Sequence, residues 1–421
     1  MTSRERVLTA FSHKEPDMVP IDFGAMGSTG IMAVAFNELK KHLGVTDDVT
    51  RLCDWGQQLA EPPKWLLDMF EVDIIGLGRS IAPVDDPDAA AEYDAKWGGE
   101  WKPWTLPDGS ECVCETSFNP ESDGEGGWYR NHPDGRLWCV MPKGCLYFDA
   151  GPEGYHQLQD VESIEDLADW HPGKMTEESL AGTVEKAKWL HDNTDYAVMT
   201  GFGGSILESG QGLRGWGQFM MDMAGDRPLA EEIIGRLTEA HVHNAKVFMA
   251  ALGDYIQVVQ MGDDLGTQDG PQMSPQLYHD LIHPAHKAIY QAAKSAAPQV
   301  AIFLHSCGSI RSLIPDLIDE GVELLNPVQT AAADMDPKEL NDEYGDKLTF
   351  WGGGIETQSV LVDGTPDEVA AMAKERIEIF GPGGGYVFNQ VHNIQAGVPP
   401  ANIIAMYEAA KSARGYPLAQ S

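Results

Sequence analysis

Val300-Ala301-Ile302-Phe303-Leu304-His305-Ser306-Cys307-Gly308 is the stretch on which the reading of this chain turns. Its first five residues are all apolar. A strand covered on both faces shows such an unbroken run rather than alternation, so the segment reads as a buried parallel strand. The tetrad His305-Ser306-Cys307-Gly308 is then its C-terminal end. Residues two apart on a strand point the same way. An imidazole and a thiolate placed like this can share one soft cation, and zinc is the usual occupant of such a site.

Working outward, 300–306 is one of eight short runs that stop at polar or Gly-rich ends; the others are 19–24, 73–78, 196–202, 255–262, 321–327, 348–353 and 384–391. Helical patterns separate most of them. The clearest covers 366–380, where Thr365 is the N-cap, Pro366 takes N1 and Glu368 takes N3, a capping box. Residues 227–251, 274–296, 309–319 and 398–413 also have helical spacing. Strands alternating with helices predict an α/β fold, a TIM (β/α)8 barrel forming a single domain over 1–421. A doubly wound open sheet is the alternative.

The stretch 80–195 breaks the repeat. Between 93 and 150 it is rich in Trp, Gly, Pro and Asp, with turn signals at Pro107-Asp108-Gly109 and Pro133-Asp134-Gly135. These predict β-hairpins inserted between the second and third strands, as a cap or as a contact surface for another protein.

The formal net charge is -36, with a pI near 4.5. Such a field repels nucleic acid and anionic membrane, so neither is an expected partner. There is no run of about 18 apolar residues to make a transmembrane helix. The first residues pass into an amphipathic pattern without an apolar signal core, so a cytoplasmic location is expected. The six cysteines read as thiols rather than a disulfide framework. The spacings of Cys112, Cys114, Cys139 and Cys145 do not match a zinc ribbon.

In a TIM barrel the chemistry gathers at the C-terminal ends of the strands. Here Asp22, Glu208, Asp263 and Asp264 precede His305 and Cys307 in that position. Asn326, Gln329, Glu356 and Gln358 follow, and Gln390, His392 and Asn393 end the set. Successive strand residues alternate faces, so only one of Asp263 and Asp264 can face the axis; Asp263 is taken as that one. The stripe His279, His283 and His286 has helical spacing but is interrupted by Pro284, and reads as a solvent-facing surface.

Several segments together resemble the uroporphyrinogen decarboxylase superfamily, and within it the corrinoid-dependent methyltransferases. They are Ser3-Arg4-Glu5-Arg6-Val7-Leu8 through Glu15-Pro16-Asp17-Met18-Val19-Pro20, then Gly262-Asp263-Asp264-Leu265-Gly266-Thr267-Gln268 with Ser274-Pro275. Gly364-Thr365-Pro366-Asp367-Glu368-Val369 and the tail pieces Gly385-Tyr386-Val387-Phe388-Asn389, His392-Asn393-Ile394-Gln395 and Pro399-Pro400-Ala401-Asn402-Ile403 complete the set. The resemblance implies a TIM barrel. It also implies a zinc site built on H-x-C plus a later Cys on the eighth strand. His305 and Cys307 match the first two positions. The third has no counterpart, because Gly381-Pro382-Gly383-Gly384-Gly385 lacks Cys. His392, Glu356 or Asp263 would have to complete the shell, and His392 is the preferred candidate.

The resemblance implies a zinc-assisted methyltransferase. It would move a methyl group between a small methylated substrate (a methoxylated aromatic, methylamine or thiol) and a corrinoid carried by a partner protein. In that reading His305, Cys307 and His392 bind metal and Asp263 and Glu208 are catalytic. Asp264, Asn326, Gln390 and Asn393 bind substrate. A homodimer is an open alternative to a monomer. The rival function is a metal-independent decarboxylase of a porphyrinogen, which needs cations for the substrate carboxylates; Arg311, inside a helix, is the candidate for that role.

Overall fold

Inner and outer side chains alternate along each strand, and that alternation organises the molecule. Along Ala301–His305, Ala301 and Phe303 join one apolar cluster while Ile302 and Leu304 join another. The first cluster fills the inside of a curled parallel sheet. Ile74, Ala197, Met199, Val258, Leu324, Trp351 and Val387 share it. The second lies between the sheet and its helices. Phe303 and Trp351 are fully buried and meet edge to face at 5.1 Å. Each contributes roughly 1.5–3 kcal/mol or more by leaving water.

The computed structural model describes residues 1–150 and 154–418. Seven strands pair in parallel and in chain order: Ile74–Gly76, Ala197–Gly203, Val258–Gly262, Ala301–His305, Leu324–Asn326, Thr349–Trp351 and Tyr386–Val387. The remaining expected run, 19–24, closes the ring by bridges alone. Ile21 pairs in parallel with Phe388 and Asp22 with Ile74. Asp22 N–H donates to Phe388 O at 3.0 Å, and Asp73 N–H to Ile21 O at 2.8 Å. Pro20 has no N–H for the ladder, which keeps this stave short. The protein is a TIM barrel, as expected. Helix Ser3–Phe11 plugs its floor, with Val7 in the inner cluster.

The expected helix at 366–380 runs Pro366–Phe380 behind a Thr365–Glu368 capping box. The expected continuous helix at 274–296 is two, Pro275–Leu281 and His283–Ala296, broken at Ile282 just before Pro284. A proline near a helix start is tolerated but cannot continue the ladder behind it.

Between Ile74–Gly76 and Ala197–Gly203 lie the expected hairpins. Trp101–Thr105 pairs with Glu111–Glu115, and Trp128–Asn131 pairs with both Glu121–Ser122 and Leu137–Met141. Both Pro-Asp-Gly turns are used, with Gly109 and Gly135 at positive φ. Arg130 stacks over Trp55 at 4.1 Å, which pins the second hairpin to the barrel side. All six cysteines are free. No helix among the described residues is long and apolar enough to cross a membrane.

Candidate metal centre at the barrel mouth

His305 shares inward parity with Ala301 and Phe303, so the end of that strand aims its ring at the axis. Asn326, at the end of the neighbouring strand, sets the ring's orientation. Its amide nitrogen donates to Trp351 O at 2.8 Å, which leaves Oδ1 as an acceptor 2.6 Å from His305 Nδ1. His305 therefore carries its proton on Nδ1 and turns the lone pair of Nε2 into the mouth. Cys307 Sγ lies 3.4 Å from that Nε2. His392 completes a group in which the donor atoms of all three residues lie within 4.8 Å of one another.

The loop that presents Cys307 is tightly held. Cys307 N–H donates to Asp264 Oδ1 at 2.9 Å, and Gly308 N–H to Gln329 Oε1 at 2.9 Å. Gly308 has φ +88°, and a Cβ there would meet Gly266 C at 2.5 Å and Thr267 O at 2.6 Å. Only glycine fits both demands.

The site is electronegative. Asp264 Oδ1 lies 3.8 Å from His305 Nε2. Burial, then Asp264 and Glu208, push the Cys307 thiol far above its ordinary range. Burial and the neighbouring His305 hold the His392 imidazole below its own. Glu208 is raised to about 7 by burial and by Asp263 and Asp264, although its side chain opens to solvent on the mouth side. A thiol, two imidazoles and surplus carboxylates suit a cation, which reverses the pressure on the thiol. A tetrahedral zinc with bonds of about 2.3 Å to sulfur and 2.0–2.1 Å to nitrogen would separate S and N by about 3.5 Å. The 3.4 Å between Cys307 Sγ and His305 Nε2 fits.

Beside this group opens a cavity of about 240 Å³, lined in part by Cys307, His392, Gln268, Gln329, Pro327 and Glu356. A larger crevice of about 720 Å³, with Asp73, Tyr196 and Arg414, lies at the opposite end of the barrel. In this architecture the floor serves stability and the chemistry sits at the mouth.

The structure brings His305, Cys307 and His392 together, with Glu208 and Asp264 near them. Other expected residues face elsewhere. Val258 belongs to the inner cluster and Val259 and Met261 to the outer one, so Asp263 has outward parity. Its carboxylate is fully buried, accepts N–H bonds from Ile206, Leu207 and Glu208, and sits 2.9 Å from His286 Nε2. Asp263 thus caps the helix Leu207–Arg214, and the inward member of the acidic pair is Asp264.

Gln390 likewise points outward, donating to Thr29 O and accepting from Tyr407 OH at 2.8 Å. Asn393 is buried and donates to Gln57 Oε1 at 2.8 Å. Asn326 orients His305 from beneath. Arg311 lies on the outside, bonded to Glu339 and Glu343. The histidine stripe is not a solvent face: His279 is exposed, but His283 and His286 are buried. Gln268, which ends one of the segments quoted for the resemblance, lines the cavity; Pro327 does so without a signal in the sequence, because a loop brings it there.

The uroporphyrinogen decarboxylase (URO-D) family model matches residues 149–413. Among solved structures, a methyltransferase from Methanosarcina mazei superposes with a TM-score of 0.54 at 17% identity, covering 98% of this chain and 99% of that one. A native xylanase 10B from Thermotoga maritima gives a TM-score of 0.35 at 10% identity, covering 55% and 80%. No curated protein matches the sequence.

Proposed function

We propose that this chain, which belongs to the uroporphyrinogen decarboxylase family, is a zinc-assisted methyltransferase acting between a small methylated substrate and a corrinoid protein. The observation that carries the reading is the convergence of His305, Cys307 and His392 donor atoms within 4.8 Å at the barrel mouth, beside a cavity of small-molecule size. Methyl transfer is also what the similarly folded Methanosarcina mazei protein is named for.

His305, Cys307 and His392 would hold the metal. When bound there, zinc supplies Lewis acidity that stabilises an oxygen, nitrogen or sulfur anion at neutral pH. The residues around it do the rest. Asn326 keeps the His305 lone pair aimed inward. Asp264 and Gln329 hold the Cys307-Gly308 backbone so that the thiolate does not have to be positioned during the reaction. When the methyl group leaves, the substrate heteroatom keeps the bond's electron pair and needs a proton. Glu208, with a carboxyl near neutrality, is the group suited to hold that proton. Val391 and Pro327 give the cavity an apolar side where a methyl group avoids water.

The rival is a metal-independent decarboxylase. Its substrate carboxylates require cationic partners, and none of the described residues lining the cavity is Lys or Arg.

The test pairs elemental analysis with methyl transfer to free cob(I)alamin from a methylated thiol, a methylamine and a methoxylated aromatic. About one zinc in the mouth, lost in both His305→Ala and Cys307→Ser together with turnover, is expected. Metal-free protein that converts uroporphyrinogen and transfers no methyl group would transfer the assignment to the decarboxylase.

A further inference from the structure

The histidine stripe plays no part at the mouth, and its surroundings are unlike those of ordinary surface histidines. His279 and His283 stack with ring centroids 5.0 Å apart and planes 12° from parallel, so both present their edges to the helix Ile314–Glu320. His279 Nδ1 lies 3.0 Å from Asp316 Oδ1. Donor atoms of His279, His283 and Asp316 all fall within 4.8 Å of one another. His283 turns Nδ1 to Glu320 Oε1 at 3.0 Å and Nε2 to Asp319 Oδ2 at 3.1 Å.

We infer that His279, His283 and Asp316, with Asp319 beside them, form a second cation site on the outside of the barrel, for a divalent first-row transition ion. Imidazole and carboxylate donors without thiolate suit zinc, nickel, cobalt or copper in that series. The 3.0 Å between His279 Nδ1 and Asp316 Oδ1 equals the edge of an octahedron with bonds of about 2.1 Å.

The support behind the donors is what a metal site needs and what a plain ion pair does not. A ligating histidine hands its second nitrogen to a carboxylate, which fixes the ring. Glu320 does this for His283. Glu320 is fully buried and is itself held by Tyr278 OH at 2.6 Å. Charge points the same way. Asp316, Asp319 and Glu320 face two imidazoles and one ammonium, that of Lys287, 2.7 Å from Asp319. Lys287 is the resident cation that an incoming ion displaces, and a chain of net charge -36 concentrates cations at its surface.

The site is not isolated from the mouth. Glu320 Oε2 lies 3.4 Å from His286 Nδ1, and His286 Nε2 lies 2.9 Å from Asp263. Asp263 caps the helix that carries Glu208. A cation outside therefore tightens a polar chain that ends at the mouth, and its binding raises thermal stability by mass action.

Calorimetric titration with Zn²⁺ alone tests this on the full chain. In the His305→Ala/Cys307→Ser protein, whose mouth pair is gone, one equivalent is still taken up and the melting temperature rises with added Zn²⁺. Adding His279→Ala abolishes that uptake; this residue is exposed, so its loss leaves the fold intact. Asp316→Asn, the second variant, weakens uptake at least tenfold. No uptake by the mouth-disabled protein, or uptake unchanged by His279→Ala, overturns the inference. The outcome is separable from the reading of the mouth. A wild-type chain that takes up one equivalent, lost with His279→Ala and untouched by His305→Ala, would uphold the outer site and sink the inner one.

Discussion

Asn326 Oδ1 lies 2.6 Å from His305 Nδ1, while the amide nitrogen of Asn326 is spent on the Trp351 carbonyl. The amide can thus act on the ring only as an acceptor. That single relationship decides which imidazole nitrogen faces Cys307, and so whether the mouth can receive a cation at all.

Replacing Asn326 by Leu removes the acceptor and keeps the volume. Zinc affinity should fall by about 10–100-fold, measured by competition with a chromophoric chelator. A protein that folds with unchanged affinity would show that the ring holds its orientation by packing alone.

Gly308→Ala forces a side chain onto a backbone at φ +88° and drives its Cβ against Gly266 and Thr267. The Cys307 loop must move. Metal content and methyl transfer should drop together while far-ultraviolet circular dichroism stays that of the wild type. Intact metal binding in the variant would contradict the role given to this turn.

Asp263 and His286 are fully buried partners. Removing one partner of such a pair costs about 3–5 kcal/mol, and His286 would keep only Glu320, 3.4 Å away. Asp263→Ala also strips three helix N–H groups of their acceptor. Urea unfolding of Asp263→Ala should show at least this loss. A change under about 1 kcal/mol would mean that water replaces the carboxylate, against the burial seen here.

Burial alone would lower the His286 imidazole, but hydrogen bonds to Asp263 and Glu320 outweigh it and hold the group at about 9, above its ordinary 6.5. A group raised on folding stabilises fully below its unfolded value and loses that contribution as pH climbs through its folded one. The melting temperature should hence fall between about pH 6.5 and 9. His286→Gln should flatten that slope. A melting curve just as steep in the variant would move the titration to another group.

Much of this architecture was legible. All eight strand runs are staves, because a buried parallel strand must be apolar throughout and end abruptly at the polar mouth. Thr365-Pro366 and the two Pro-Asp-Gly turns are local chemistry, and each appears where the residues demand it. His305 and Cys307 were visible for the same reason.

The acidic pair shows where reading fails. Alternation told that only one of Asp263 and Asp264 faces inward, but not which. Counting from Val258 would have settled it only once Val258 was known to lie inside. Gln390 failed in the same way: three residues past inward Val387, it shares the outward parity of Phe388.

The sequence by itself determined the barrel, its hairpin insertion and the H-x-C at a strand end, since each follows from hydrophobic period, turn residues or spacing over a few positions. Only the tertiary structure decided that His392 joins His305 and Cys307, that Asn326 selects the tautomer, and that His283 and His286 turn inward. Those facts depend on which strand ends and helices become neighbours, 20 to 90 residues apart in the chain, and on the parity with which each strand enters the sheet.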